Sequence, residues 1–197
     1  MNAFSRRCWL VGAMALAGCT QTPGTPPEQG IGFPDFLGPD FGVTVGTNPV
    51  VTAVQGASYY LRVRDSLAGR PALAAQVAAQ FEYAAAELQD LRFVGLSPLV
   101  QIQMGWGREE LREMLGVRAD AAARPVVEAF TRAAGALRRG DRAAAETALA
   151  GPVFSRPAAQ ILATLEAMPP TPRAGRAAAF AEAELNRPFG ENRRRVF

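Results

Sequence analysis

From about residue 48 onward, apolar side chains recur at steps of three and four residues, which is the repeat of an amphipathic helix. The clearest stripe consists of Val77, Phe81, Ala84, Leu88 and Leu91. Three further stripes have the same spacing: Val50, Val54, Ala57 and Leu61; Val126, Phe130, Ala133 and Leu137; and Ile161, Leu165 and Met168. The only strand-like run, residues 41–45, is too short to build a sheet. The pattern therefore indicates helices.

Proline and glycine mark where these helices begin and end. Proline fits the first helical turn, where a backbone N–H has no partner to lose. We therefore expect helices to start near Pro49, Pro71, Pro98, Pro125, Pro157 and Pro172. The suitable N-caps are Asn48, Ser97 and Thr171, and the glycines at expected helix ends are Gly69, Gly116, Gly140 and Gly151. The sequence predicts an all-α fold, a helical bundle of about six helices over residues 48–187.

The first residues follow a different pattern. Residues 1–7 are short and basic, and residues 8–17 are nearly all apolar but too few to span a membrane stably. The run closes with Leu16-Ala17-Gly18-Cys19, which resembles the lipobox of bacterial lipoproteins. The resemblance implies that residues 1–18 are a cleaved signal peptide. It also implies that Cys19 carries a covalent diacylglycerol and a fatty acyl group, and we expect no other cofactor.

The same resemblance suggests a location. A non-acidic residue after the lipidated cysteine, here Thr20, implies sorting to the outer membrane, so we expect the protein at its periplasmic face. Residues 5–10 also look like a twin-arginine export motif, with Trp9 where Phe is usual. An ordinary signal peptide that happens to contain Arg6 and Arg7 explains them more simply, and we prefer it.

Residues 19–47 are predicted to be a lipidated tether with an aromatic arm. The start of this segment is rich in Pro, Gly and Thr, and Phe33, Phe36 and Phe41 follow. Three exposed Phe side chains are costly in water. The arm either folds back on its own domain or binds a partner or the bilayer. We expect the first arrangement and keep the three Phe residues as candidates for partner binding.

Composition removes many kinds of chemistry. The chain has neither Lys nor His, and Cys19 is the only cysteine after the predicted cleavage. Catalysis by Cys, by Ser with His or Lys, or through a Schiff base therefore has no residues to use, and neither do metal sites built on His or Cys. We assign no catalytic and no metal-binding residue. Without Arg6 and Arg7, 19 Arg balance 18 acidic residues, a surface charge that does not favour nucleic acid.

Two features of the predicted helical domain stand out. Trp106 lies between Gly105 and Gly107, an arrangement that loosens or breaks a helix. We expect a kink that turns the indole into the core, and the alternative is a Trp that contacts a ligand. The second feature is Glu109 and Glu113, which share a helical face with Arg112. We expect a solvated ladder of salt bridges rather than a catalytic carboxylate pair.

Two shorter segments complete the domain organisation. Residues 137–149 are similar to a tetratricopeptide-type hairpin, but no repeat of that family follows, so we expect a generic helical hairpin. Residues 188–197 form an Arg-rich C-terminal tail with Arg193, Arg194 and Arg195. Three Arg can bind phosphate or carboxylate groups of a partner. A solvated terminus is the simpler interpretation.

These observations leave three functional hypotheses. The first is a non-catalytic accessory or scaffold lipoprotein that holds an envelope protein and contacts the membrane through its lipid. The second is a helical carrier or sensor for an apolar ligand, with Tyr83 and Trp106 near a cavity. The third and remotest is a glycan-acting enzyme that uses carboxylates alone, such as Glu109 and Glu113. The sequence favours the first.

Overall fold

The computed structural model describes residues 30–32, 37–44 and 46–187. These residues contain seven α-helices and no β-strand, so the predicted all-α bundle is confirmed. The helices are α1 Pro49–Arg62, α2 Pro71–Glu87, α3 Pro98–Leu115, α4 Ala123–Arg138, α5 Arg142–Leu149, α6 Ala158–Ala167 and α7 Pro172–Leu185. A short 3-10 turn, Leu91–Phe93, lies between α2 and α3. Among the described residues, no helix is both long enough and apolar enough to cross a bilayer.

The predicted proline positions agree closely with the helix starts. Helices α1, α2, α3 and α7 begin at the expected prolines, and Pro157 is the residue just before α6. Helix α4 begins at Ala123, two residues before Pro125. Helix α5 is the second half of the hairpin expected over residues 137–149, and Asp141 caps it by accepting a hydrogen bond from Ala144 N at 2.9 Å.

Side-chain capping was predicted correctly at only one of three sites. Asn48 Oδ1 accepts a hydrogen bond from Val50 N at 2.9 Å, whereas Ser97 and Thr171 make no such bond. At α7 the capping acceptor comes from another helix. Glu110 of α3 accepts a hydrogen bond from Ala174 N at 2.8 Å. A partner distant in sequence has replaced the local one, which short-range patterns do not reveal.

Helix α2 forms the centre of the bundle. Thirteen of its 17 residues are buried, because α1, α3, α4 and α6 all pack against it. Helix α7 packs across α1 and α3, and α5 lies against α4 and α6. Many of the buried positions in α2 are alanines, whose small side chains let neighbouring helices approach closely on every side.

The predicted kink at Trp106 is wrong. Helix α3 runs without a break from Pro98 to Leu115, and the Trp106 side chain is 56% exposed. Gly107 instead marks the place where α3 meets α2 and α7. A Cβ atom at this position would lie 2.6 Å from Phe81 Cζ and 2.9 Å from Ala174 Cα. Close helix packing therefore explains this glycine, and the indole faces solvent.

Two of the glycines end helices in the expected way. Gly116 and Gly140, which follow α3 and the last turn of α4, have φ values of 67° and 74°. Gly69 does not end α1, which has already finished at Arg62. It lies in the following loop, where its N–H donates to Glu166 O of α6 at 2.7 Å. That bond ties the start of α2 to the end of α6.

The crossing at Gly107 leads to a test within one helix. Gly107→Ala is expected to lower the free energy of unfolding by about 1–3 kcal/mol, because the added methyl overpacks a rigid contact. Gly105→Ala is the matched control, since a Cβ there meets no atom within 4 Å. It should raise stability by up to about 1 kcal/mol through helix propensity. Urea unfolding of both variants measures the difference. Equal midpoints would contradict the packing role of Gly107.

Candidate interaction surface

The described part of the aromatic arm is docked on the body. Phe41 is fully buried, and its ring meets that of Tyr83 edge to face with centroids 5.3 Å apart. Gln80 Nε2 donates to Phe41 O at 2.8 Å, and Arg138 of α4 forms an ion pair with Asp40. Phe41 is therefore a core residue, as the folded-back arrangement requires. Phe41 was also kept as a candidate for partner binding. That assignment is corrected, because its side chain has no exposed surface.

The N-terminal end of the arm is held at the end of α2. Gly32 N donates to Glu87 Oε1 at 2.7 Å, and Tyr83 Oη donates to Gly32 O at 2.7 Å. The Glu87 carboxylate is completely buried and also pairs with Arg92. A Cβ atom on Gly30 would lie 3.1 Å from Asp90 Oδ2. The chain from the predicted tether thus joins the body beside Glu87 and Asp90.

A set of exposed apolar side chains begins at the very next residue. In the described residues, seven large hydrophobic side chains are exposed. Five of them come from α3 and from the connector between α2 and α3, residues 88–97. We call these five residues the α3 face: Leu91, Val94, Leu99, Ile102 and Trp106. The last three are spaced three and four residues apart, which puts them on one side of the helix.

The connector is short and firmly attached. Gln101 Nε2 of α3 donates to Leu88 O at 3.1 Å, and Gln89 Nε2 donates back to Gln101 O at 3.3 Å. These bonds join the end of α2 to the first turns of α3, so the intervening loop projects from a fixed base. Leu91 and Val94 lie in this loop and are 85% and 79% exposed. They therefore extend into solvent.

The part of the α3 face from Val94 to Trp106 lies in a run without charged residues. Residues 93–107 contain no Asp, Glu, Lys or Arg, and Arg92 and Arg108 border this run on either side. Both arginines are engaged with α2, Arg92 with Glu87 and Arg108 with Glu82. The uncharged run was the signal for this surface in the sequence. Predicting only Trp106, and placing it in the core, missed the other four residues.

The expected salt-bridge ladder on α3 does not form around Arg112. Arg112 is buried and pairs with Glu82 of α2, which Arg108 Nη2 also contacts at 2.7 Å. The reason is that a buried carboxylate requires a charged partner, and a long Arg side chain reaches it from the neighbouring helix. Glu109 and Glu113 stay exposed at the mouth of a cleft of about 530 Å³.

The remaining predicted site residues lie outside the described residues. They are Cys19, Phe33, Phe36, Arg193, Arg194 and Arg195. Within the described part of the chain, no group of three or more acidic, Cys or His side chains is placed to hold a metal ion. No protein-family model matches the chain, and no curated protein or solved structure is significantly similar to it.

Truncating Phe41 tests the docking of the arm. Phe41→Ala should lower the free energy of unfolding by about 3–5 kcal/mol, because it empties a buried site next to Tyr83. Leu91→Ala is the control, since it removes an equally apolar but exposed side chain and should change stability by less than about 0.5 kcal/mol. Denaturant unfolding followed by circular dichroism measures both. A Phe41→Ala protein as stable as wild type would show that the arm is not part of the core.

Tyr83 makes stability sensitive to high pH. Burial raises the pKa of its phenol, and the Glu87 carboxylate raises this pKa further above the ordinary value of 10.0. The unfolded chain therefore ionises Tyr83 first, and stability should be retained below about pH 10 and fall above it. Since the chain has no Lys and no His, few other side chains titrate there. Unfolding midpoints between about pH 8 and about pH 11 should show the fall in wild type and in Tyr59→Phe, but not in Tyr83→Phe.

Proposed function

We propose that the chain is a lipid-anchored protein of the bacterial envelope with a non-catalytic accessory role, and that the α3 face is its contact surface. The single observation that carries the contact role is the concentration of exposed hydrophobic side chains in the α3 face. Exposed apolar residues are normally scattered singly, and a cluster of them indicates a surface that another molecule covers.

Support for the anchor comes from the sequence. Leu16-Ala17-Gly18-Cys19 resembles a lipobox, and the segment between Cys19 and the body has the composition of a tether. We propose the periplasmic face of the outer membrane as the location because Thr20, not an acidic residue, follows the cysteine. An envelope protein is the expected partner for a scaffold of this kind, and the nearly balanced charge gives no support to nucleic acid.

The proposal of a non-catalytic role rests on composition. A mature chain without Lys, His or an unmodified Cys has only carboxylates and hydroxyls for acid, base or nucleophilic chemistry. The carboxylates in the expected place, Glu109 and Glu113, are exposed at the mouth of the cleft beside Arg112. A glycosidase places two carboxyl groups on either side of the sugar bond, whereas Glu109 and Glu113 lie one turn apart on the same helix. The glycan-acting hypothesis therefore stays remote.

The carrier hypothesis loses the two residues on which it was built. Tyr83 is fully buried against Phe41, and its hydroxyl is bonded to Gly32 O, so its ring is not available to a ligand. Trp106 is at the surface. One side chain belongs to the core and the other to the α3 face, and the expected aromatic cavity between them has no support.

Substitution of Cys19 tests the anchor. Cys19→Ala and Cys19→Ser should abolish incorporation of a labelled fatty acid and release or mislocalise the protein, because the acylated thiol is lost. Cys8→Ser is the matched control, since Cys8 is the only other cysteine and lies in the predicted signal peptide. It should be labelled like wild type. Equal labelling of the Cys19 variants would refute the lipobox interpretation.

A further inference from the structure

The position of the α3 face relative to the tether limits what can cover it. Gly30, where the described chain begins, lies beside Glu87 and Asp90, and Leu91 of the α3 face is the next residue after Asp90. Only eleven residue steps separate Cys19 from Gly30. A fully extended chain of that length reaches at most about 40 Å. If Cys19 is lipidated, the chain that leads to the lipid therefore joins the body next to Leu91, where the α3 face begins.

The chemistry of the α3 face matches a bilayer surface. Trp is favoured at the boundary between headgroups and acyl chains, and aliphatic side chains enter that boundary readily. The run of 15 residues from 93 to 107 contains no carboxylate, and the residues that border it are both arginines. The nearest acidic residues in sequence are Asp90, which pairs with Arg92, and Glu109, which is exposed one turn after Trp106 and ends the apolar side of α3. Arg92 pairs with both Glu87 and Asp90, and its side chain is 46% exposed between Leu91 and Val94.

The shape of the α3 face also favours lipid. Leu91 and Val94 protrude from a loop whose base is fixed by the hydrogen bonds between Gln101 and Leu88 and between Gln89 and Gln101. Protruding apolar side chains on a stable base can enter a fluid interface without a complementary pocket. The tether adds an effective concentration that keeps this surface close to the bilayer. Even modest affinity per side chain then suffices to hold one orientation.

From these observations we propose that the α3 face inserts into the headgroup region of the bilayer that holds the Cys19 lipid, and so orients the body with α3 towards the membrane. This inference rests on the proposed lipid anchor. It adds that the body is not suspended freely from its tether but lies on the bilayer through one defined surface. Anchoring would come from the acyl chains, and orientation from Leu91, Val94, Leu99, Ile102 and Trp106.

Trp106 provides the measurement. It is the only Trp after the predicted signal peptide, since the other is Trp9, so the fluorescence of the mature protein reports on this position alone. Lipidated protein is bound to vesicles of phosphatidylethanolamine and phosphatidylglycerol, with and without a fraction of lipid brominated on its acyl chains. We expect Trp106 emission to shift to shorter wavelength on the vesicles and to lose a large part of its intensity with the brominated lipid.

Paired variants separate insertion by this face from general proximity to lipid. Leu91→Ser with Val94→Ser should reduce the quenching of Trp106, because two inserting side chains are lost. Tyr59→Ser with Val63→Ser is the matched control, since these are the other two exposed large hydrophobic residues in the described chain. Tyr59 lies on α1, and Val63 is the residue that follows it. The control should be quenched like wild type. Equal loss in both pairs would overturn the proposal, and unfolding midpoints verify that each variant is folded.

The outcomes also distinguish this inference from the proposed function. Protein that floats with the vesicles while Trp106 is not quenched would overturn insertion and leave the lipid anchor standing. If the wild-type protein isolated from cells carries no fatty acid label and does not float with the vesicles, the lipid anchor is overturned, and the inference is overturned with it. A photocrosslinker at Ile102 that captures an envelope protein in cells, together with absent quenching, would assign the α3 face to a protein partner instead of lipid.

Discussion

Burial of α2 on all sides is the constraint on which the rest of the structure depends. This helix carries Gln80, Glu82 and Glu87 into the interior, and a buried carboxylate is tolerated only with charged or hydrogen-bonding partners. Each of these three buried side chains is bonded to a residue outside α2. Glu82 holds Arg108 and Arg112 of α3, Glu87 holds Gly32 and Arg92, and Gln80 holds the backbone of Phe41. The arm, the connector and α3 are all positioned through one helix.

Small residues let the helices pack closely around α2 and α7. Alanines allow four helices to surround α2, while Gly107 and Gly175 let α7 approach α3 and α1. A Cβ on Gly175 would lie 2.6 Å from Leu61 O. Alanine buries little apolar area, so a core rich in it has few large side chains to determine which helix faces which. The buried ion pairs supply part of that specificity.

Local signals in the sequence predicted most of the fold. A proline before a helix acts within one turn, so the starts of α1, α2, α3 and α7 were predictable. The errors arise where a distant partner decides. Arg112 was assigned to Glu109 and Glu113 because they are close in sequence, but Glu82 is thirty residues away and buried. Trp106 was assigned to the core because two glycines flank it, but Gly107 serves a crossing with α7. Neither partner has a signature in the local pattern.

The hydrogen bonds that hold Gly32 to Glu87 and Tyr83 have a mechanical consequence. A chain pulled from its N-terminal side would transmit the load to Gly32, whose N–H and C=O are bonded to Glu87 and Tyr83 of α2. The load would enter the most deeply buried helix directly, without first peeling α1 from the bundle. The same carboxylate also holds Arg92 at the start of the connector. Glu87 therefore links the arm to the connector, and a force on the arm would act on both through this one buried side chain.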